Sequence, residues 1–205
     1  QVLVDMEHFF DGFKDNPEFS FRALEAAVVN GATHVVLCDT NGGSLPHEIE
    51  EIVHSVHAHI GDDATIGIHC HDDTGCAVAN SMAAVRAGAR HVQGTLNGLG
   101  ERTGNANLTS IIPNLELKQH YRCLPEGRME RLSVVSHRIA ESLFRAVDPL
   151  APYVGSSAFA HKAGLLVSAI ARANDAYEHV SPDAVGNGTR FVVSEMAGKA
   201  TIQMK

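Results

Sequence analysis

The feature that most constrains this chain is a junction written four times. A short β-branched run ends in a polar cluster, an apolar helix-period segment follows, and a glycine starts the next run. The runs are Gln1–Asp5, His34–Cys38, Ala64–Ile68 and His91–Thr95. Between them, Phe19–Asn30, Leu45–Ile60 and Thr74–Ala87 carry the 3.6-residue period, and Gly31, Gly61 and Gly88 close them. The second of these sets Ile49, Ile52, Val53, Val56 and Ile60 on one face. N-G-A-T-H-V-V at 30–36 and A-G-A-R-H-V-Q at 87–93 repeat the same join. Buried strands alternating with helices, with polar motifs at each strand's C-terminal end, imply a parallel α/β sheet or a barrel. A closed (β/α)8 barrel has eight strands. The expected fold is therefore α/β, the C-terminal half of a TIM barrel, over residues 1–120. Residues 121–205 read as a small, mainly helical accessory subdomain. There, Leu108–Gln119 is a closing helix, Met129–Ala146 a long helix and Asp148–Gly155 a proline-bearing linker. Ser157–Asn174 is a further helical stretch, and Arg190–Ser194 is an extended segment.

The formal charge of −8 and the lack of a basic run argue against nucleic acid and anionic membrane as partners. No apolar run is long enough to span a bilayer, and the opening Q-V-L-V-D-M-E-H is no signal peptide. Four cysteines without framework spacing fit a reduced, cytoplasmic setting. The chain opens inside an apolar run without a methionine, as if in the middle of a longer protein.

The chemistry is densest from Thr65 to Asn105. His69 and His71 stand two apart at the end of a strand and so leave it on one face. Such a pair alone is more often a wet strand face than a metal site. Here it runs directly into Asp72-Asp73-Thr74-Gly75, a helix start, where parallel α/β folds gather functional groups. Glu7, then Asp39 and Thr40, then His69 and His71, then Asn105 all fall at strand ends. Two imidazoles and one amide oxygen would supply three ligands and leave open positions, as a catalytic metal site requires. Cys70 alternates away from the histidine face.

The motifs D-x-E-H-F-F-D-G-F, L-C-D-T-N-G-G, G-I-H-C-H-D-D-T-G-C-A-V-A-N-S and N-G-L-G-E-R-T-G-N-A-N-L resemble the metal-dependent acyl-CoA condensing and cleaving barrels. That family includes isopropylmalate, homocitrate and citramalate synthases and hydroxymethylglutaryl-CoA lyase. G-S-S-A-F-A-H-K-A-G and Y-E-H-V-S-P-D-A-V-G-N extend the resemblance through the C-terminal part, closest to the citramalate synthase branch. The resemblance implies His69, His71 and Asn105 as ligands of a divalent ion (Mg, Mn or Zn). A fourth ligand in the family comes from an Asp-Arg-Glu motif on a strand this sequence does not contain. It implies Thr40 and His69 at the 2-keto acid, Glu7 near the methyl of acetyl-CoA as the co-substrate, and Tyr177 delivered by the accessory subdomain. The implied reaction is the condensation of acetyl-CoA and pyruvate to citramalate in isoleucine biosynthesis, with 2-isopropylmalate or homocitrate formation as alternatives. The family's lyase has a cysteine in the glycine-rich loop; Asn97–Asn105 has none. One departure favours a non-catalytic chain instead, a pseudoenzyme or a partner-binding half: Leu166 occupies the position of a second family histidine. Two open sheet edges imply a homodimer or a pairing segment.

Overall fold

The computed structural model describes residues 1–161 and 177–192. Leu166, and the greater part of the expected helix at 157–174, lie outside the described residues. The chain divides into two compact units, Gln1–Ile111 and Ile112–Lys205.

The first unit is built on four parallel strands: β1 (Leu3–Met6), β2 (His34–Asp39), β3 (Thr65–Cys70) and β4 (His91–Gln93). Their spatial order is β1-β2-β3-β4, all pairs parallel. A doubly wound sheet reverses its strand order at a switch point; this one runs in sequence, as the wall of a (β/α) barrel does. Three helices match the periodic segments: α2 (Pro17–Val29), α3 (Pro46–Ile60) and α4 (Ala77–Ala87). Pro46 starts α3, Leu45 N–H donates to Glu48 at 2.7 Å, and all five residues of its expected apolar face are buried. The closing glycines adopt positive φ, at 96°, 53° and 125°. α1 (Phe9–Asp15) has no counterpart in the sequence reading; its Phe9 and Phe10 are buried and it packs on α2 and β2. Val35, Val36, Leu37, Ile49, Val53 and Ile68 are fully buried, which places the core between sheet and helices. Each such side chain contributes about 1.5–3 kcal/mol.

Three expectations for the second part are corrected. The closing helix breaks at Pro113: α5 (Leu108–Pro113) gives way to a π-helical turn at Asn114–Lys118. The long helix at 129–146 is a 3-10 turn, Met129–Arg131, leading into α6 (Leu132–Ser142). Asp148–Gly155 is no linker. Tyr153 and Val154 are 5% and 2% exposed and belong to a core with Met129, Leu132, Phe159 and Val185. Proline marks a break in regular structure, and here the broken segment is itself packed. Ala160–His161 (β5) pairs in parallel with Arg190–Phe191 (β6), so this unit also has a small sheet.

Candidate metal centre and substrate site

β3 ends at Cys70, and His71 continues its direction through an antiparallel bridge with Asn105. That bridge brings the end of the glycine-rich loop to the end of the strand. The rings of His69 and His71 are 5.3 Å apart, centroid to centroid. The three sequence-predicted ligands therefore come together.

Their polar atoms have the chemistry of a cation site. His71 Nδ1 and Asn105 Oδ1 are buried and lack a hydrogen-bond partner among the described residues. Leaving a buried acceptor unsatisfied costs about 1–3 kcal/mol, so two together ask for a ligand. Asn105 is oriented for one: its Nδ2 donates to the Leu99 carbonyl at 3.0 Å, which leaves the oxygen end facing away. Burial, then the Arg102 cation and His69, hold the His71 imidazole below its ordinary pKa. A neutral ring keeps the lone pair that coordination uses. His69 Nδ1 lies 2.8 Å from Gln93 Oε1, a contact that leaves Nε2 for a cation. Among the described residues no three His, Cys, Asp or Glu side chains form such a group; the third donor is the amide. These donors fit a divalent ion. Cys38 pairs in register with His69, yet its thiol is pushed up to about 12 by burial and by the carboxylates of Glu7 and Asp5. Cys70 is buried on the opposite face, as its alternation implied.

The glycine-rich loop is shaped around Asn105. A Cβ at Gly100 would run into the Asn105 amide nitrogen, and one at Gly104 into the Gly98 carbonyl. Arg102, at φ 54°, clamps the loop from outside. Its guanidinium makes two bonds to Asp73, of 2.8 and 2.9 Å, and one of 2.8 Å to the Thr40 carbonyl. The pair holds the Asp73 carboxyl below its ordinary range and the guanidinium above its own.

The second cluster joins β1 to β2. Thr40 Oγ1 donates to Glu7 Oε2 at 2.9 Å and accepts from the His8 N–H at 2.8 Å. The Thr40 hydroxyl hydrogen is thus engaged by the carboxylate assigned to the acetyl methyl. Asp39 lies beneath, buried, bonded to the Ser44 amide, with its carboxyl raised chiefly by desolvation. Tyr177 lies in the second unit and is half-exposed. His161 of that unit contacts Glu178 at 3.3 Å, and Glu178 also accepts from Thr189. Sequence reasoning missed Gln93, Asp5, Arg102 and Asp73. Gln93 had one available signal: it alternates with His91 and Thr95 on the strand beside the histidine pair.

A family model described as HMGL-like matches residues 5–139, well over half of the chain. The chain belongs to the HMGL-like family. A second model, homocitrate synthase post-HMGL domain-like, matches residues 153–205. The (R)-citramalate synthase of Streptomyces coelicolor is 54% identical over 205 residues, all of this chain and 38% of that protein. That of Aquifex aeolicus is 51% identical over the same length, 39% of that protein. A 2-isopropylmalate synthase from Ruminiclostridium cellulolyticum is 37% identical over 194 residues, covering 92% of this chain and 38% of that protein. This HMGL-like chain thus spans under two fifths of the length of these curated relatives. Among solved structures, the HMG-CoA lyase of Bacillus subtilis superposes with a TM-score of 0.54 at 27% identity, over 62% of this chain and 43% of that one. An HMG-CoA lyase from Acinetobacter baumannii gives 0.56 at 24% identity, over 65% and 45%, and speaks for the fold. The HMGL-like sheet is therefore part of a TIM-barrel wall.

Proposed function

We propose that this chain carries the metal-binding and proton-transfer face of an (R)-citramalate synthase, which condenses acetyl-CoA with pyruvate and releases CoA. The observation that carries the reading is the pair of buried, partnerless acceptors, His71 Nδ1 and Asn105 Oδ1, beside His69. The identity to curated citramalate synthases over the full chain supports it. His69, His71 and Asn105 hold the divalent ion, Mg2+, Mn2+ or Zn2+. When bound, that ion supplies Lewis-acid polarisation of the keto group. His69 also borders the keto acid.

The chain's own groups do the rest. The Thr40 hydroxyl turns from Glu7 to the keto acid's carboxylate, which fixes the substrate and frees Glu7. The Glu7 carboxylate takes a proton from the acetyl methyl, directly or by orienting the base that does. The carbanion electron pair forms the new carbon–carbon bond at the keto carbon, and the keto oxygen gains a proton. Water then cleaves the thioester, and CoA leaves with a proton on sulfur. Tyr177 serves this second half from the accessory unit, and the working form is a homodimer.

The test is CoA release by the full-length protein supplied with acetyl-CoA, a divalent ion and one keto acid at a time. We expect release with pyruvate in preference to 2-oxoisovalerate and 2-oxoglutarate. Loss of general-base catalysis in Glu7→Gln should lower kcat about 100- to 10,000-fold. Preference for 2-oxoisovalerate would reassign the chain to 2-isopropylmalate formation. No release with any of the three would leave a binding role.

A further inference from the structure

Gln93 on β4 stands in register with His69 on β3. Its side chain makes two bonds in line: Oε1 to His69 Nδ1 at 2.8 Å, and Nε2 to Asp5 Oδ1 at 3.0 Å. Asp5 sits on β1, at the other edge of the same sheet. The sheet must curl for Gln93 to reach it, since neighbouring strands are about 4.8 Å apart.

The polarity of this relay is set from its far end. A carboxylate only accepts, so Asp5 takes the NH2 end of the amide. That turns Oε1 toward His69. A carbonyl oxygen also only accepts, so the ring presents its N–H at Nδ1. A neutral imidazole has one ring proton, and Nε2 is left with the lone pair. Outer partners of this kind fix the tautomer and the ring angle of metal-binding histidines.

We propose that Gln93, anchored by Asp5, is a positioning residue that holds His69 in the Nδ1–H tautomer so that Nε2 binds the divalent ion. The inference rests on the reading of His69 as a ligand, and its test separates the two. Metal affinity, read by equilibrium dialysis of the full-length protein against Mn2+, needs no turnover. Gln93→Leu keeps the volume and removes both bonds; it should weaken binding about 10- to 100-fold. Gln93→Glu offers His69 an acceptor but sets two carboxylates against each other, and should also bind more weakly. The double variant Asp5→Asn with Gln93→Glu reverses donor and acceptor in the far bond. It should return to within about threefold of the parent, the coupling expected of groups that act as one unit. A purely structural role would not be rescued by that exchange.

Parent-like affinity in Gln93→Leu, or a double variant no tighter than Gln93→Glu, overturns the inference. If Gln93→Leu does not fold, the second comparison decides alone. His69→Ala, measured beside them, should lose the ion. Full metal stoichiometry in His69→Ala overturns the ligand reading itself. Loss there with an unaffected Gln93→Leu overturns only the relay.

Discussion

A single amide does two opposite things at Asn105. Its NH2 end is tied to the Leu99 carbonyl, and its oxygen is buried without a partner. An unconstrained asparagine would rotate and satisfy itself with water or backbone; this one is held by glycines that leave no room for a side chain. Gly100 is the tightest of these, since its Cβ would collide with the Asn105 amide. Gly100→Ala should therefore displace Asn105 and weaken metal binding about 10- to 100-fold, the range for changes behind a ligand, while the helical circular-dichroism signal stays unchanged. Unaltered Mn2+ affinity in that variant would show that Gly100 does not set the amide. His69, His71 and Asn105 could be read from sequence because a two-residue strand period and a glycine-rich loop are local patterns. Gln93 and Asp5 could not. They lie 88 residues apart and meet only because the sheet curls, and a lone polar residue in a strand has many uses.

The helices and strands of the first unit were legible for the same reason: their periods are written in short windows. α3 shows it best, with all five expected residues buried. α1 was missed because F-F-D-G-F-K-D is short and contains a glycine, and its buried rings matter only once α2 and β2 are in place. Tyr153 and Val154 were misread as linker because proline spacing reports broken hydrogen bonding, not exposure. Between elements, the loop Leu96–Asn105 depends on one side chain. Arg102 ties it both to Asp73, after β3, and to the Thr40 carbonyl, after β2. The Asp73 pair is open to solvent, so its value lies in geometry more than in stability. Arg102→Ala should raise amide hydrogen exchange in residues 97–105 and leave α3 and α4 protected as before. Equal protection of that loop with and without Arg102 would remove the clamp from the account.

At the scale of the molecule, the sheet poses the remaining physical problem. β1 and β4 each pair on one side only among the described residues. Both stand at the rim of a face that carries Asp5, His69 and Gln93, and Val2 and Leu3 beside that rim are 54% and 43% exposed. An open parallel edge offers unpaired N–H and C=O groups to any other strand, and a parallel sheet is ordinarily covered on both faces. The relay from Gln93 to Asp5 fastens one edge strand to the other across that face, but it satisfies side chains and leaves the edge backbone open. The 205-residue polypeptide on its own should therefore associate in solution. Static light scattering at micromolar concentration should give a mass well above 21.9 kDa, and the full-length protein should remove that tendency by pairing these edges within one barrel. A monodisperse 21.9 kDa species with intact secondary structure would mean that the edges are protected within this chain. The drive to associate would then have to come from side chains on the barrel's outer surface.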